Sequence, residues 1–449
     1  MSQLDSCSSQ EPQSSVGLEI ESVATGGDGV GRDAAGRVVF VPRTAPGDRA
    51  RVRIVTSHKR WARADLIEIE RPGPGRREAP CPLYDQCGGC ALQHLESEAQ
   101  REAKRVIVRE AVNRIGGLSL DLPPITAAGS ELGYRNRVTL ALRRGPEGVR
   151  LGYHERLDAA EVLDVDDCLL AEDPIREALR ELRANWGVDA CRLPAGQDLK
   201  VTIRCTESGA VGLHVRGGNP LQPGRPDAIA DSVSSLDSYV QTCDDGTRQV
   251  LAGSKSLVDR WQGTRFELGP ESFLQVNREV SRSMDRTLDD WVGSRRNLRI
   301  ADLYSGVGAR AIRWAREGAR VTAIESDREA VESGRQAAAA EGLQLQFLAA
   351  RVESASDSFA DAEILVINPP RAGLSKAVVE SLRTVRAARG LAYVSCDPAT
   401  LARDLSRLAP VWNPVAVKAF DAFPQTAHVE TLVWLERVTS EGSEQTEAG

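Results

Sequence analysis

The sequence predicts an α/β protein: a Rossmann-like doubly wound sheet in the carboxyl half, a central α+β region, and an amino-terminal OB-like β-barrel. Three observations carry that expectation. From Asn297 onward, short apolar runs alternate with helical patterns and glycine turns, the rhythm of a parallel sheet with helices on its faces. Between Gly17 and Arg71, β-rich runs are cut by glycine turns at short intervals, which suits a small closed barrel. Between them, residues 150–260 look antiparallel. The boundaries that follow are a tail at 1–16, the barrel at 17–71, a central domain at 76–270, the doubly wound domain at 271–437 and a second tail at 438–449. Arg71-Pro72-Gly73-Pro74-Gly75 reads as a linker.

A chain of 449 residues has room for two or three well-developed cores. No stretch reaches the roughly 18 apolar residues that span a membrane. The start is rich in Ser and Gln, without a basic n-region or apolar h-region, so a signal peptide is not expected and a cytoplasmic monomer is. Nine cysteines, an odd number, argue against a disulfide framework and for a metal site plus a reactive thiol. A net charge of −7 does not announce a nucleic-acid binder, and 4% aromatic content limits broad base-stacking platforms.

Within the barrel, strands are expected at Leu18–Ser22, Arg37–Val41, Asp48–Ser57 and Ala62–Glu70 around the turn Gly26-Gly27-Asp28-Gly29. Nine basic residues fall between Arg32 and Arg63 and only Asp33 and Asp48 oppose them, a local charge of +7. That is the footprint of a phosphate-tracking surface, with Arg32, Arg43, Lys59 and Arg60 as candidate RNA contacts. The plainer alternative is a solvated barrel face.

Cys81, Cys87 and Cys90 follow in the pattern C-x5-C-G-G-C, a spacing that suits a soft metal. A fourth ligand would complete a zinc site or an iron–sulfur cluster, and Cys168 is the best candidate; spacing alone does not separate the two metals. A helical charge pattern covers Leu92–Ile115, ended by Gly116-Gly117. Tyr134-Arg135-Asn136-Arg137 then leads into a strand at Val138–Leu142. This stretch could stack and hydrogen-bond an unpaired base, or it could be an edge strand with exposed charge.

In the doubly wound domain a strand at Leu298–Leu303 runs into the turn Ser305-Gly306-Val307-Gly308 and a helix to Glu317. A second strand ends in Glu325, and a helix is expected over Asp327–Glu341. A glycine turn after the first strand and an acid closing the second is the arrangement that holds an adenosine-containing cofactor, a logic that NAD enzymes share. Further strands are expected at Leu345–Ala349, Ile364–Ile367 and Leu391–Ser395, with a last one at Thr431–Leu435. Cys396 then stands at the carboxyl end of a strand, before a helix opened by Pro398. A helix N-terminus there would favour the thiolate. Glu430, among apolar neighbours, could be a general base whose pKa burial raises.

Taken together these residues resemble the RNA uracil-C5 methyltransferase family over nearly the whole chain. The barrel is similar to a TRAM domain in Gly-Asp-Gly-Val-Gly-Arg and in Val-Phe-Val-Pro…Pro-Gly-Asp. The family pattern also includes C-x5-C-G-G-C…C, Q-x-N (Gln275-Val276-Asn277), P-P-R-x-G (Pro369 to Gly373), S-C-x-P-x-T-L-A-R-D (Ser395 to Asp404) and F-P-x-T-x-H-V-E (Phe423 to Glu430). The resemblance implies an S-adenosylmethionine-dependent class I methyltransferase fold with Cys396 as nucleophile and Glu430 as base. It implies a 4Fe–4S cluster on Cys81, Cys87, Cys90 and Cys168. It places Gln275, Tyr304, Gly306, Glu325 and Asn368 against the cofactor, and Arg135 and Arg371 with the RNA.

Four positions depart from the pattern: Ser305 replaces a Cys, Asn368 replaces the usual Asp, and Ala309 and Arg351 stand where polar cofactor contacts are expected. Members combining TRAM and cluster act mainly on large-subunit ribosomal RNA, so 23S rRNA is expected over tRNA uracil 54. One alternative is an RNA-binding module that has lost catalysis, with Asn368 and Arg351 as signs of decay; another, a Rossmann oxidoreductase, would leave Cys396, Glu430 and the proline pair idle.

Overall fold

The structure is a computed structural model that describes residues 15–127 and 129–438. The outer parts of both expected tails, and Cys7, lie outside the described residues. The chain divides into two compact units. One comprises residues up to Tyr84, Cys90–Ile107 and Pro424–Ala427, and the other holds the rest.

The first unit is built on a closed barrel of five strands, Ser15–Val23, Gly29–Arg32, Val38–Val41, Arg49–Ser57 and Trp61–Arg71. Alternation decides it: Leu18, Ile20, Val39, Val41, Ala50, Val52, Ala62 and Ala64 point inward and form its core. The first strand begins two residues before the expected boundary, and Gly29–Arg32, read as part of a turn, is a strand. Its glycines sit against neighbouring chain, which a composition-based reading takes for a bend.

In the second unit, a seven-stranded sheet in the central region carries Arg137–Gly145 in its interior, between Asp198–Cys205 and Gly148–His154. The edge-strand reading of Tyr134–Arg137 is therefore corrected. The helix Asp173–Asn185 covers this sheet with Ile175, Ala178, Leu179 and Leu182, one apolar stripe at helical spacing.

The carboxyl-terminal sheet also has seven strands. Gln346–Ala349, Arg320–Glu325, Arg299–Leu303, Ile364–Ile367 and Gly390–Ser395 are parallel in that order. Glu430–Arg437 and Trp412–Phe420 then run antiparallel. The sheet is thus mixed, not wholly parallel, and the edge strand Trp412–Phe420 had no counterpart in the sequence reading. Pro414 interrupts that strand's register, a position where an absent N–H costs least. Ile364–Ile367 and Gly390–Ser395 are buried at every residue, because helices and loops cover both faces.

Candidate active site

Antiparallel pairing places the two residues expected to react on neighbouring strand ends. Ser395 is registered with Thr431, and five further pairs back to Gly390 and Glu436 keep the same register. Cys396 follows Ser395 and Glu430 precedes Thr431, so the two residues adjoin the last registered pair. Glu430 is buried, and burial pushes its carboxyl up to about 8, with the Arg371 guanidinium pulling it down. Cys396 is half-buried. Burial and then the charge of Glu430 raise its pKa, while Arg371 lowers it. The expected thiolate bias from a helix N-terminus is overturned: desolvation and the facing carboxylate outweigh it. Arg371, exposed and 3.4 Å from Nε2 of His428, is the cation both groups feel. Phe423 meets His428 edge-on, and the guanidinium of half-buried Arg135 lies 5.8 Å from the Phe423 ring centroid.

The string that contains Cys396 is also a bracket. Asp397 caps the helix Pro398–Leu408 by accepting from the Thr400 N–H at 2.8 Å. Thr400 Oγ1 donates to the Arg371 carbonyl, and fully buried Asp404 accepts from Leu374 N–H and the Tyr393 hydroxyl. Gly373, at φ 74°, passes so close to Asp404 that a Cβ would lie 2.4 Å from its Oδ2. Strand, helix and the Pro369–Gly373 loop are thereby locked together, and Arg371 is held beside the pair.

At the carboxyl ends of the first strands lies a cavity lined by Gln275, Tyr304, Gly306, Asn368, Asp302 and Arg310. Gly308 stands at φ 72°, and a Cβ there would collide with Phe347 at 2.4 Å, so the turn requires glycine. Glu325 is not in the lining. Its carboxylate accepts from Gly306 N–H at 3.1 Å and Asp327 N–H at 2.9 Å, which fixes the turn to the second strand. Asn277 accepts from Val280 N–H and caps the helix Arg278–Val292, so the Q-x-N string pairs a cavity residue with a cap. Ala309 opens the next helix and Arg351 is exposed, 3.9 Å from Glu353.

Sequence reasoning missed Asp302. It is 1% exposed, and neither carboxylate oxygen meets a hydrogen-bond donor, though Arg310 Nη1 lies 3.6 Å away. Burial raises its pKa to about 6. Arg310 gives its closer contact, 2.9 Å, to Asp285. A buried carboxylate left short of donors in a cavity suits a cationic ligand, and S-adenosylmethionine carries an ammonium and a sulfonium. The leading Asp of D-L-Y-S-G-V-G was the available signal.

Other expected contacts fare unevenly. Arg43 is not a surface phosphate contact: it is 9% exposed, donates to the carbonyls of Cys90 and Tyr84, and lies 3.5 Å over the Tyr84 ring. Arg32, Lys59 and Arg60 are exposed, Arg32 being 3.6 Å from Glu21. Tyr134 and Asn136 are buried, and Asn136 donates to the Gln275 carbonyl at 3.0 Å instead of offering its amide to a base. Cys81 and Cys90 belong to one unit, Cys87 and Cys168 to the other. Among the described residues no three His, Cys, Asp or Glu side chains are gathered as a metal requires. Cys168 accepts from the Tyr153 hydroxyl at 3.7 Å.

The sheet order, the glycine turn closed by an acid, and the cavity beside them define a Rossmann-like domain of the class that binds nucleotide cofactors. Residues 256–438 match the tRNA (Uracil-5-)-methyltransferase family, and residues 14–67 the TRAM domain. The 23S rRNA (uracil(1939)-C(5))-methyltransferase RlmD of Chromohalobacter salexigens is 33% identical, over 95% of this chain and 90% of its own. An uncharacterised RNA methyltransferase of Thermosynechococcus vestitus is 32% identical over 94% and 97%. The crystal structure of Pyrococcus abyssi tRNA (uracil-54, C5)-methyltransferase with S-adenosyl-L-homocysteine superposes with a TM-score of 0.72. It is 24% identical and covers 93% of this chain and 99% of its own, and it shows the shared fold. The chain belongs to the RNA uracil-C5 methyltransferases, enzymes that use S-adenosylmethionine. None of the helices among the described residues is long and apolar enough to cross a membrane.

Proposed function

We propose that this enzyme forms 5-methyluridine in 23S ribosomal RNA through a transient bond between Cys396 and C6 of the target uracil. The observation that supports the reading is that Cys396 and buried Glu430 adjoin one registered strand pair, with the charge of Glu430 felt at the thiol. Uracil C5 is too weak a nucleophile to accept a methyl group unaided. The Cys396 thiolate adds to C6, forming a C–S bond and moving the C5–C6 π electrons into an enolate centred on C5 and O4. S-adenosylmethionine supplies an electrophilic sulfonium methyl for C5, and Gln275, Tyr304, Gly306, Asn368 and Asp302 would hold it, with Glu325 bracing the turn. Glu430 then takes the C5 proton. The C–H electrons restore the C5–C6 double bond, and the C–S bond breaks to return the thiolate. Both protein groups must shed a proton to act, and Arg371 offsets the cost of their two charges. The base must leave its stack to reach them.

The 23S reading rests on RlmD, the relative with a named substrate at the higher identity. Transfer-RNA uracil 54 is the second reading, favoured by the Pyrococcus structure. Cys396→Ala should abolish both methyl transfer and the RNA adduct that survives denaturation. An adduct persisting in that variant would remove Cys396 from the nucleophile's role. Mapping 5-methyluridine in ribosomal and transfer RNA from cells lacking the protein decides between the two RNAs. We place the enzyme in the cytoplasm as a monomer, and sedimentation tests the latter.

The 4Fe–4S reading is kept on donor chemistry, four partly exposed thiols. No step runs through a cluster. Cys81→Ser should lower bound iron and bleach brown absorbance; a colourless wild-type protein containing zinc would overturn it.

A further inference from the structure

The barrel's positive charge is largely cancelled by carboxylates, all but Asp33 lying outside the basic stretch. Arg32 pairs with Glu21, Arg37 with Asp33, Arg49 with Glu70, Arg51 with Glu68, Arg53 with Asp65 and Arg63 with Asp28. Arg43 is buried. Among the described residues, Lys59 and Arg60 alone of those nine are exposed with no ion-pair partner. Both sit at the tip joining the strands Arg49–Ser57 and Trp61–Arg71. An arginine already paired must give up its carboxylate to take a phosphate, whereas these two need not.

The same tip carries an aromatic surface. Trp61 is 36% exposed although a ring of that size usually finds cover. His58 stacks on it with centroids 4.0 Å apart and 28° between planes, and Phe40 meets it edge-on at 6.3 Å. The tip is braced: His58 N–H donates to the Trp61 carbonyl at 2.8 Å, and Arg37 donates to Ser57 Oγ and the His58 carbonyl. A braced π surface beside two uncompensated cations has the chemistry of a grip on unpaired nucleotides, since every base has a face to stack and every linkage a charge to neutralise.

We propose that the His58–Trp61 tip binds an unpaired segment of the RNA substrate, one base stacking on the His58–Trp61 pair while Lys59 and Arg60 neutralise the flanking phosphates. This deepens the RNA reading of the enzyme and rests on it. The test uses the full chain and a labelled single-stranded RNA 12-mer beside the same sequence in duplex form. Trp61→Ala should weaken single-strand binding by about 5- to 150-fold, the value of one stacked base, with Trp61→Phe retaining most of the affinity. Lys59→Ala with Arg60→Ala should lower the slope of log affinity against log salt by about 1.4. Wild-type affinity in Trp61→Ala overturns the proposal, as does an equal loss on duplex and single strand. Thermal melting checks that each variant is folded. Formation of 5-methyluridine by the wild type is scored separately. If it occurs while Trp61→Ala binds normally, only the tip falls; if it fails while Trp61→Ala binds weakly, only the reaction falls.

Discussion

Asp302 and Glu430 are both buried acids of one sheet, and their surroundings set them apart. Asp302 has Arg310 at 3.6 Å and its pKa rises to about 6, so it is mostly charged at neutral pH. Glu430 has the pull of Arg371 against burial and rises to about 8, so it mostly holds its proton at neutral pH. A close cation makes one acid a fixed charge; its absence makes the other a group that exchanges a proton near working pH.

The largest expected effect is on the proton mover. Glu430→Gln should slow turnover by about 10²- to 10⁴-fold and let the Cys396–RNA adduct accumulate, because addition does not need the base and elimination does. Near-normal turnover would end its assignment. In the wild type, single-turnover rates should climb as pH rises through about 8, and the Gln variant should lose that limb. Next in size, Asp302→Asn should weaken S-adenosylmethionine binding by about 10- to 100-fold, measured calorimetrically, with kcat at saturating cofactor little changed. If binding is unchanged and turnover falls instead, the two acids do not divide the work this way. The last effect, small within any one pH unit, is on stability. Unfolded, Glu430 gives up its proton near its ordinary value of 4.5; folded, it does so at about 8. Between those values the folded state binds the extra proton, so its contribution falls as pH rises, by about 1.4 kcal/mol per unit at most. Denaturant titrations of the Gln variant should lack that decline, and a matching decline would place the charge elsewhere.

Much of this was legible in the sequence, for a physical reason. Ile364–Ile367 was read to the residue because a run buried on both faces needs apolar side chains throughout. The setting of Cys396 at a strand end before a helix was legible because its neighbours make local bonds: Asp397 caps that helix, and Pro398 opens it. What was lost depends on distant partners. Arg43 looked like a surface cation because Tyr84 and Cys90, which hold its guanidinium, come more than 40 residues later. The charge of +7 was an artefact of the window, since Glu21, Asp65, Glu68 and Glu70 fall just beyond it. Asp302 lay inside the strand expected at Leu298–Leu303, and its lack of donors appears only once the cavity closes around it.

The ladder between Gly390–Ser395 and Glu430–Arg437 acts as a ruler for the chemistry. Hydrogen-bonded strands slip only by whole residues, and a slip of one would turn the carboxylate to the opposite side of the sheet. Loops between these strands can therefore lengthen or shrink without altering the gap between sulfur and carboxylate.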